Sequence, residues 1–82
     1  MNIFANRLKE LRKENNITQK EISKTLDIST TCYAGYEQGY REPDFQTLKK
    51  ICLFFDVTAD YLLGLEDETG AKIPNFSVSE LT

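Results

Sequence analysis

Apolar side chains recur every three or four positions along residues 1–64, and no segment of that region alternates with a period of two. Phe4, Leu8 and Leu11 follow the helical spacing and predict an amphipathic first helix over residues 2 to about 14. The longest apolar stripe predicts the main core helix, and it consists of Phe45, Leu48, Ile51, Cys52 and Phe55. The pattern therefore predicts an all-α domain.

Capping residues mark where the remaining helices begin and end. Thr18-Gln19-Lys20-Glu21 is a capping box, in which the Thr18 hydroxyl accepts from the Glu21 amide and the Glu21 carboxylate accepts from the Thr18 amide. A second, short helix is predicted there, and Asp27 stands where a left-handed bend would separate it from a third. The predicted N-caps of the last three helices are Ser29, Asp44 and Thr58, and the predicted stops after the third and fifth are Gly39 and Gly64.

The composition changes after the fifth predicted helix. Residues 66–70 form an acidic turn or linker. The alternating segment 76–79 leaves two alternatives open, a strand added to a partner or a segment without stable order. We predict a compact five-helix domain over residues 1–64, followed by an acidic linker and tail over residues 65–82 that is disordered or ordered by a partner.

The charge is unevenly distributed along the chain. A net charge of −3 and a pI near 4.9 argue against a general polyanion binder. Residues 1–41 nevertheless carry seven basic and five acidic side chains, whereas residues 42–82 carry three basic and eight acidic ones. The first half could therefore face phosphate while the second half faces away, or the charges could simply be scattered over a solvated surface.

Several classes of function lack the residues that they need. The chain has no histidine, and Cys32 and Cys52 are too far apart for a zinc-ligand pair, so we expect no metal site. Two cysteines in a cytosolic chain are most simply free thiols, with a disulfide or a redox switch as the alternative. The carboxylates lie at helix ends, where capping explains them, and we expect neither an enzyme nor a bound cofactor. The longest apolar run, Ile51 to Phe55, is far shorter than the roughly 18 residues of a membrane span, and no secretion signal precedes Asn6 and Arg7. We therefore expect a cytoplasmic protein that does not contact membranes.

Two short helices joined by a tight turn are typical of DNA-binding proteins, because the second helix can enter the major groove. This interpretation is narrowed by three segments, which are Ile17 to Ser29, Tyr36-Glu37-Gln38-Gly39-Tyr40-Arg41-Glu42-Pro43 and Asp60-Tyr61-Leu62-Leu63-Gly64. In this order they resemble the Cro/cI-type, lambda-repressor-like (XRE) family of helix-turn-helix transcriptional regulators. The resemblance covers residues 3–64. It implies a lambda-repressor-like fold and a repressor that binds a palindromic operator in double-stranded DNA as a homodimer.

The resemblance also assigns DNA contacts to the second helix, the third helix and the loop after it. The matching residues are Gln19, Ser29, Thr30, Thr31, Gly35, Tyr40 and Arg41. Gln19 matches a glutamine whose backbone amide and side chain contact a phosphate. Thr30 and Thr31 could bond a base edge or pack on a thymine methyl, or only cap the helix. Arg41 is the strongest phosphate candidate, with pairing to Glu42 as the alternative.

Other matching positions are structural. Arg12 and Glu37 match a pair that in the family forms an ion pair between the first and third helices, which would fix the angle of the third helix. Three departures from the family pattern lie in the same region and are compatible with the fold. They are Asp27 in place of a turn glycine, Ser23 in place of a small alanine, and Tyr33 in place of a leucine or β-branched core residue.

Two further departures bear on DNA binding. Gly35 falls at an outward position of the third helix that often carries a long polar base-contacting side chain, and glycine inside a helix costs about 1 kcal/mol relative to alanine. Either something approaches the backbone closely there or direct readout is poor. Glu42 adds negative charge to the loop, so we expect modest and strongly salt-dependent affinity. With the acidic pI, these residues support an alternative, a helix-turn-helix protein-binding module such as an antitoxin or adaptor with weak DNA binding.

A homodimer interface is expected near the end of the domain. The fourth and fifth helices carry more apolar residues than one core stripe needs, and family members often dimerise through this region. Extra core contacts are the alternative. The candidate interface residues are Phe54, Leu62, Leu63 and Leu65, and Leu53 is a further surplus apolar residue in this region.

Overall fold

The computed structural model describes residues 2–67 and 69–71. Within these residues all regular secondary structure is helical, which confirms the predicted all-α fold. The helices are α1 (Ile3–Glu14), α2 (Gln19–Thr25), α3 (Thr30–Gln38), α4 (Phe45–Phe55) and α5 (Ala59–Leu62). None of them is long and apolar enough to cross a membrane.

Every helix begins with the same local device, a side-chain oxygen that accepts a hydrogen bond from the backbone N–H three residues further on. The five N-caps are Asn2, Thr18, Ser29, Asp44 and Thr58. The predicted capping box is complete, because the Glu21 amide donates to the Thr18 hydroxyl at 3.1 Å and the Thr18 amide donates to the Glu21 carboxylate at 2.9 Å. The N-cap hydrogen bonds of Thr18 and Ser29 therefore determine where α2 and α3 begin.

Left-handed residues reverse the chain on both sides of α3. Asp27, in the turn from α2, has φ 59°, as its position predicted, and Gly39, directly after α3, has φ 88°. A short polar side chain tolerates this conformation better than most, and glycine adopts it without steric cost. Asp56 ends α4 in the same way with φ 55°, which the sequence analysis did not predict.

All five helices contribute to one core. α3 lies against both α1 and α2, and α5 packs against α1 and α4. The buried cluster consists of Phe4, Leu8, Ile22, Leu26, Tyr33, Tyr36, Ile51 and Leu62. Because α3 contributes two tyrosines to this cluster, its inward side is fixed by packing and its opposite side faces outward.

The prediction that Phe45 belongs to the core-facing stripe of α4 is wrong. Phe45 is 88% exposed and lines a surface groove with Leu48, Cys52 and Val57. At roughly 100° per residue, Phe45 lies about 120° around the helix from the fully buried Ile51. The core-facing side of α4 is therefore narrower than the sequence stripe.

One residue of the expected apolar surface at the end of the domain, Leu62, does not lie on the surface. Leu62 is fully buried in the core, so it does not belong to an exposed patch. Phe54 and Leu63 are exposed, at 44% and 53%, and Leu65 is partly buried. Leu62 lies on the side of the short α5 that faces α1, where burial of a leucine contributes about 2 kcal/mol.

The first residues of the predicted linker are attached to the domain. The Leu65 amide donates to the Asp60 carbonyl at 2.8 Å, and Arg7 Nη1 donates to the Glu66 carbonyl at 2.8 Å. Arg7 also lies over the Tyr61 ring, 4.2 Å from its centroid. The predictions for residue 68 and for residues 72–82, including the alternating segment, fall outside the described residues.

Candidate nucleic-acid interface

The end of α3 is attached to α1 by a forked ion pair. Arg12 Nε lies 2.6 Å from one carboxylate oxygen of Glu37, and Arg12 Nη2 lies 3.1 Å from the other. The third guanidinium nitrogen, Nη1, donates to the Ile17 carbonyl at 3.0 Å. The Glu37 side chain is only 2% exposed. Such a fork has one strongly preferred geometry, so it fixes how α3 lies against α1.

Gln19 joins this ion pair from α2. Its Nε2 donates to Glu37 Oε1 at 3.1 Å, so the side chain expected at a phosphate is held by an internal contact. The backbone N–H groups of Gln19 and Lys20 lie in the first turn of α2, where no earlier carbonyl of the helix can accept from them. The amide side chain of Gln19 is therefore engaged inside the protein, while these two backbone N–H groups have no acceptor within the helix.

The environment of Glu37 favours its charged form. Burial raises the pKa of Glu37, but the hydrogen bond from Arg12, the nearby Tyr33 hydroxyl and the hydrogen bond from Gln19 together outweigh burial and hold the pKa below its usual value. The same hydrogen bond raises the pKa of Arg12. The pair is thus fully ionised near neutral pH and belongs to the structural framework.

Tyr33 lies directly behind this pair in the core. Its side chain is fully buried and packs edge-on against Tyr36, with ring centroids 6.1 Å apart. Its hydroxyl lies near Glu37 and Arg12 but forms no well-aligned hydrogen bond with any described residue, and burial raises its pKa. The family departure at this position therefore places a polar atom in the core beside the ion pair without a well-formed hydrogen bond.

Two of the three hydroxyls at the start of α3 are already engaged. The Ser29 hydroxyl accepts from the Cys32 amide at 3.0 Å. The Thr30 hydroxyl lies 3.1 Å from the hydroxyl of Ser23, which itself donates to the Lys20 carbonyl at 2.9 Å. Because Ser23 has one hydroxyl proton and uses it on Lys20, Thr30 must be the donor to Ser23. Ser23 departs from the family pattern, and its contact with Thr30 was not predicted from the sequence.

Thr31 is the exception at the start of α3. It is exposed, and no described residue accepts from or donates to its hydroxyl. Its methyl and hydroxyl groups are therefore both available to a partner. Among the three predicted residues of this turn, it is the one best placed to contact a base edge.

Gly35 is not an open outward position, which corrects the expectation from the sequence. It is buried under the side chain of Arg41, and a Cβ atom at Gly35 would lie 2.7 Å from Arg41 Cδ, 2.9 Å from Cγ and 3.2 Å from Cβ. The Arg41 amide also donates to the Gly35 carbonyl, at 3.3 Å. The close approach that the sequence analysis considered is therefore made by the chain itself.

The loop after α3 presents an aromatic ring and a charge. Tyr40 is 75% exposed, and its hydroxyl donates to the Gln38 side chain. Arg41 is exposed, and its guanidinium makes no ion pair or hydrogen bond with any described residue. The alternative of an Arg41–Glu42 pair is not seen. Together with Thr31, Arg41 forms an outward surface of α3 with unused hydrogen-bonding groups.

The comparisons with known proteins agree with this geometry. Residues 5–68 match the family model described as a helix-turn-helix domain, and the chain belongs to this family. It is 44% identical over 69 residues to the HTH-type transcriptional regulator ImmR of Bacillus subtilis (strain 168), which covers 84% of the chain and 54% of ImmR. The chain thus spans about half the length of this relative.

Two further similarities lie in the same class of proteins. The chain is 27% identical over 76 residues to the cryptic phage CTXphi transcriptional repressor RstR of Vibrio cholerae, covering 87% of the chain and 68% of RstR. A crystal structure of a transcriptional regulator from Listeria innocua superposes with a TM-score of 0.73 at 28% identity, covering 95% of the chain and 68% of that protein.

Proposed function

We propose that this protein is a sequence-specific DNA-binding transcriptional regulator that acts as a repressor, by occupying an operator rather than by catalysis. One observation carries the proposal. Glu37 bonds the end of α3 to α1 and α2, whereas Thr31 on the outward surface of α3 and Arg41 in the following loop have no hydrogen-bond or ion-pair partner among the described residues. A helix held so firmly on one side and left unsatisfied on the other is suited to insertion into the major groove. The names of the relatives ImmR and RstR support the same class of function.

The hydrogen bonds within the protein determine which contacts Thr30 and Thr31 can make with DNA. Because the Thr30 hydroxyl gives its proton to Ser23, it can only accept a hydrogen bond from DNA, which suits the amino groups of adenine or cytosine. Thr31 can still donate, accept or pack on a thymine methyl. The first-turn amides of α2, at Gln19 and Lys20, and the Tyr40 loop would contact the sugar-phosphate backbone.

We further propose that the regulator binds as a homodimer. One recognition helix covers a half-site, and a two-fold dimer places two such helices about 34 Å apart on one face of the duplex. The exposed Phe54 and Leu63, with the partly buried Leu65, support an interface at the end of the domain. Leu62 is left out of it, because it is part of the core.

The experiment that tests the proposal is selection of binding sites from a random duplex pool with the purified full chain. The expected result is a palindromic motif with half-sites about 10 bp apart, bound more weakly as salt rises because cations are released from the phosphates. A folded protein that enriches no motif and binds no duplex even at low salt would contradict it. That result would favour the protein-binding module, and a partner pull-down would follow.

The sign of regulation needs its own measurement. A template whose promoter overlaps the selected site should give less transcript in vitro as the protein is added. The control template carries the same promoter with the motif scrambled, and its transcript level should not change. A rise in transcript on the intact template would contradict the repressor assignment and leave DNA binding in place.

A further inference from the structure

The side chain of Arg41, which belongs to the loop after α3, lies against Gly35 in α3. Three consecutive carbons of the Arg41 side chain approach the position where a Cβ of residue 35 would lie, at 2.7, 2.9 and 3.2 Å. Real Cβ atoms are essentially never found within 3.0 Å of such a carbon, as the first two distances would require, so any side chain at position 35 would displace Arg41. The hydrogen bond from the Arg41 amide to the Gly35 carbonyl holds the Cα end of the Arg41 side chain at the same point.

Position 35 also lies on the surface that faces a bound duplex in the proposed function. Residues four apart on a helix share a face, and Thr31, four residues before Gly35, is exposed with an unused hydroxyl. In the family that the sequence resembles, this position of the third helix often carries a long polar side chain. Here the aliphatic part of Arg41 covers the site, while its guanidinium has no partner among the described residues.

We propose that Arg41, held across Gly35, contacts a guanine edge in the major groove and so replaces the base-contacting side chain that position 35 lacks. The guanidinium offers a planar fork of N–H donors, and the O6 and N7 atoms of guanine are the acceptors that this fork matches best. Gly35 is then a positioning residue, since its missing side chain lets Arg41 lie on α3. This inference rests on the proposed function and changes the role of Arg41 from a phosphate contact to a specificity determinant.

The test compares five full-length proteins: the wild type, Gly35→Ala, Arg41→Lys, Arg41→Ala and the double variant Gly35→Ala/Arg41→Ala. Each is used in selection from a random duplex pool. Each is then titrated by fluorescence anisotropy against the wild-type motif and against copies in which one guanine per half-site is replaced. Arg41→Lys keeps the charge but loses the fork, so it separates base recognition from phosphate attraction.

The expected result is a guanine in each wild-type half-site, preferred on the order of tenfold over the other bases. This preference should disappear in Arg41→Lys and Arg41→Ala and weaken in Gly35→Ala, with the rest of the motif unchanged. Gly35→Ala should have no further effect when Arg41 is already alanine. The melting temperature of Gly35→Ala is measured beside its binding, because alanine is the better helix former but its Cβ displaces Arg41; a variant that is still folded at the titration temperature excludes unfolding as the cause.

Three results would overturn the inference while leaving DNA binding intact. They are a motif without the guanine, a guanine preference that survives in Arg41→Lys, and a Gly35→Ala effect of equal size in the Arg41→Ala background. Absence of any motif with the wild-type protein would instead contradict the proposed function itself. The failure of the inference and the failure of the proposed function are therefore distinguishable.

Discussion

Arg12 and Arg41 carry the same side chain in opposite surroundings. Arg12 uses all three guanidinium nitrogens on Glu37 and Ile17, and its partner carboxylate is almost fully buried. Arg41 lies on the surface across Gly35 with no partner among the described residues. Both arginines contact α3, one on the side that packs and one on the side that faces outward.

This difference indicates that the charge of Arg12 stabilises the fold, whereas the charge of Arg41 is available to a binding partner. A buried guanidinium must be matched by acceptors within the protein, because an unmatched one would cost several kcal/mol. An exposed guanidinium is solvated and gains little from surface pairing, on the order of 0–1 kcal/mol. Removing Arg12 should therefore change folding stability, and removing Arg41 should change binding.

The largest expected effect is on stability in Arg12→Ala. Removal of the guanidinium leaves the Glu37 carboxylate buried without its ion-pair partner and with only the hydrogen bond from Gln19, which should lower the free energy of unfolding by about 3 kcal/mol. Urea denaturation followed by circular dichroism measures it. Lys13→Ala, at an exposed neighbouring position of α1, is the control and should stay within about 0.5 kcal/mol of the wild type. An Arg12→Ala midpoint equal to that of the wild type would remove the ion pair from the account.

The next effect is on binding in Thr31→Ala. Loss of its exposed groups should weaken specific binding by about 1–3 kcal/mol and leave the melting temperature unchanged. Thr31→Ser keeps the hydroxyl and Thr31→Val keeps the methyl shape, so anisotropy titration of both identifies the group that contacts DNA. Unchanged affinity and motif in Thr31→Ala would place this residue outside the interface.

A smaller effect is expected on acidification. The pKa of Glu37 is held below its usual value in the folded protein, so the folded state binds its proton less readily than the unfolded state does. The stability that this contributes is present above the unfolded pKa of about 4.3 and is lost as pH falls through the lower folded pKa.

The measurement is the melting temperature from pH 6 to pH 2 for the wild type and Glu37→Gln. Both should lose stability, because the pKa values of the capping carboxylates Asp44 and Glu21 are lowered too by hydrogen bonds from Thr47 and Thr18. The wild type should lose more stability than Glu37→Gln does. Identical slopes for the two proteins would show that Glu37 does not contribute to the acid sensitivity.

The smallest effect is expected for Tyr33→Phe. The hydroxyl has no partner among the described residues, so its removal should leave stability within about 0.5 kcal/mol or raise it by about 1 kcal/mol. Urea denaturation checks this. A loss of more than about 1 kcal/mol would indicate that the hydroxyl bonds to Glu37 or Arg12 in solution.

The helix boundaries could be predicted from the sequence because they depend on contacts within three residues. Ser29 and Asp44 cap their helices through the amide three positions on, and Asp27 and Gly39 bend the chain by their own conformational freedom. These signals do not depend on the rest of the fold. The order of the helices followed from these signals, whereas the family resemblance rested on the residues of three particular segments.

The environment of individual surface positions could not be predicted in the same way. Phe45 and Leu62 are both apolar, yet one is exposed and one is buried, because the packing of α4 and α5 against the other helices decides which of their sides faces the core. Gly35 was expected to be outward, and only the path of the loop brings Arg41 over it. The hydrogen bond between Thr30 and Ser23 likewise depends on how α2 and α3 cross.

The most direct test of the central claim is a backbone amide NMR titration of the labelled full chain with the selected duplex. The account predicts that the largest shift changes fall on Thr31, Gly35 and Arg41, with small changes at Phe54 and Leu63 beyond those of dimer formation. Changes confined to α4 and α5, or none at low salt, would contradict the claim that the outward surface of α3 binds DNA.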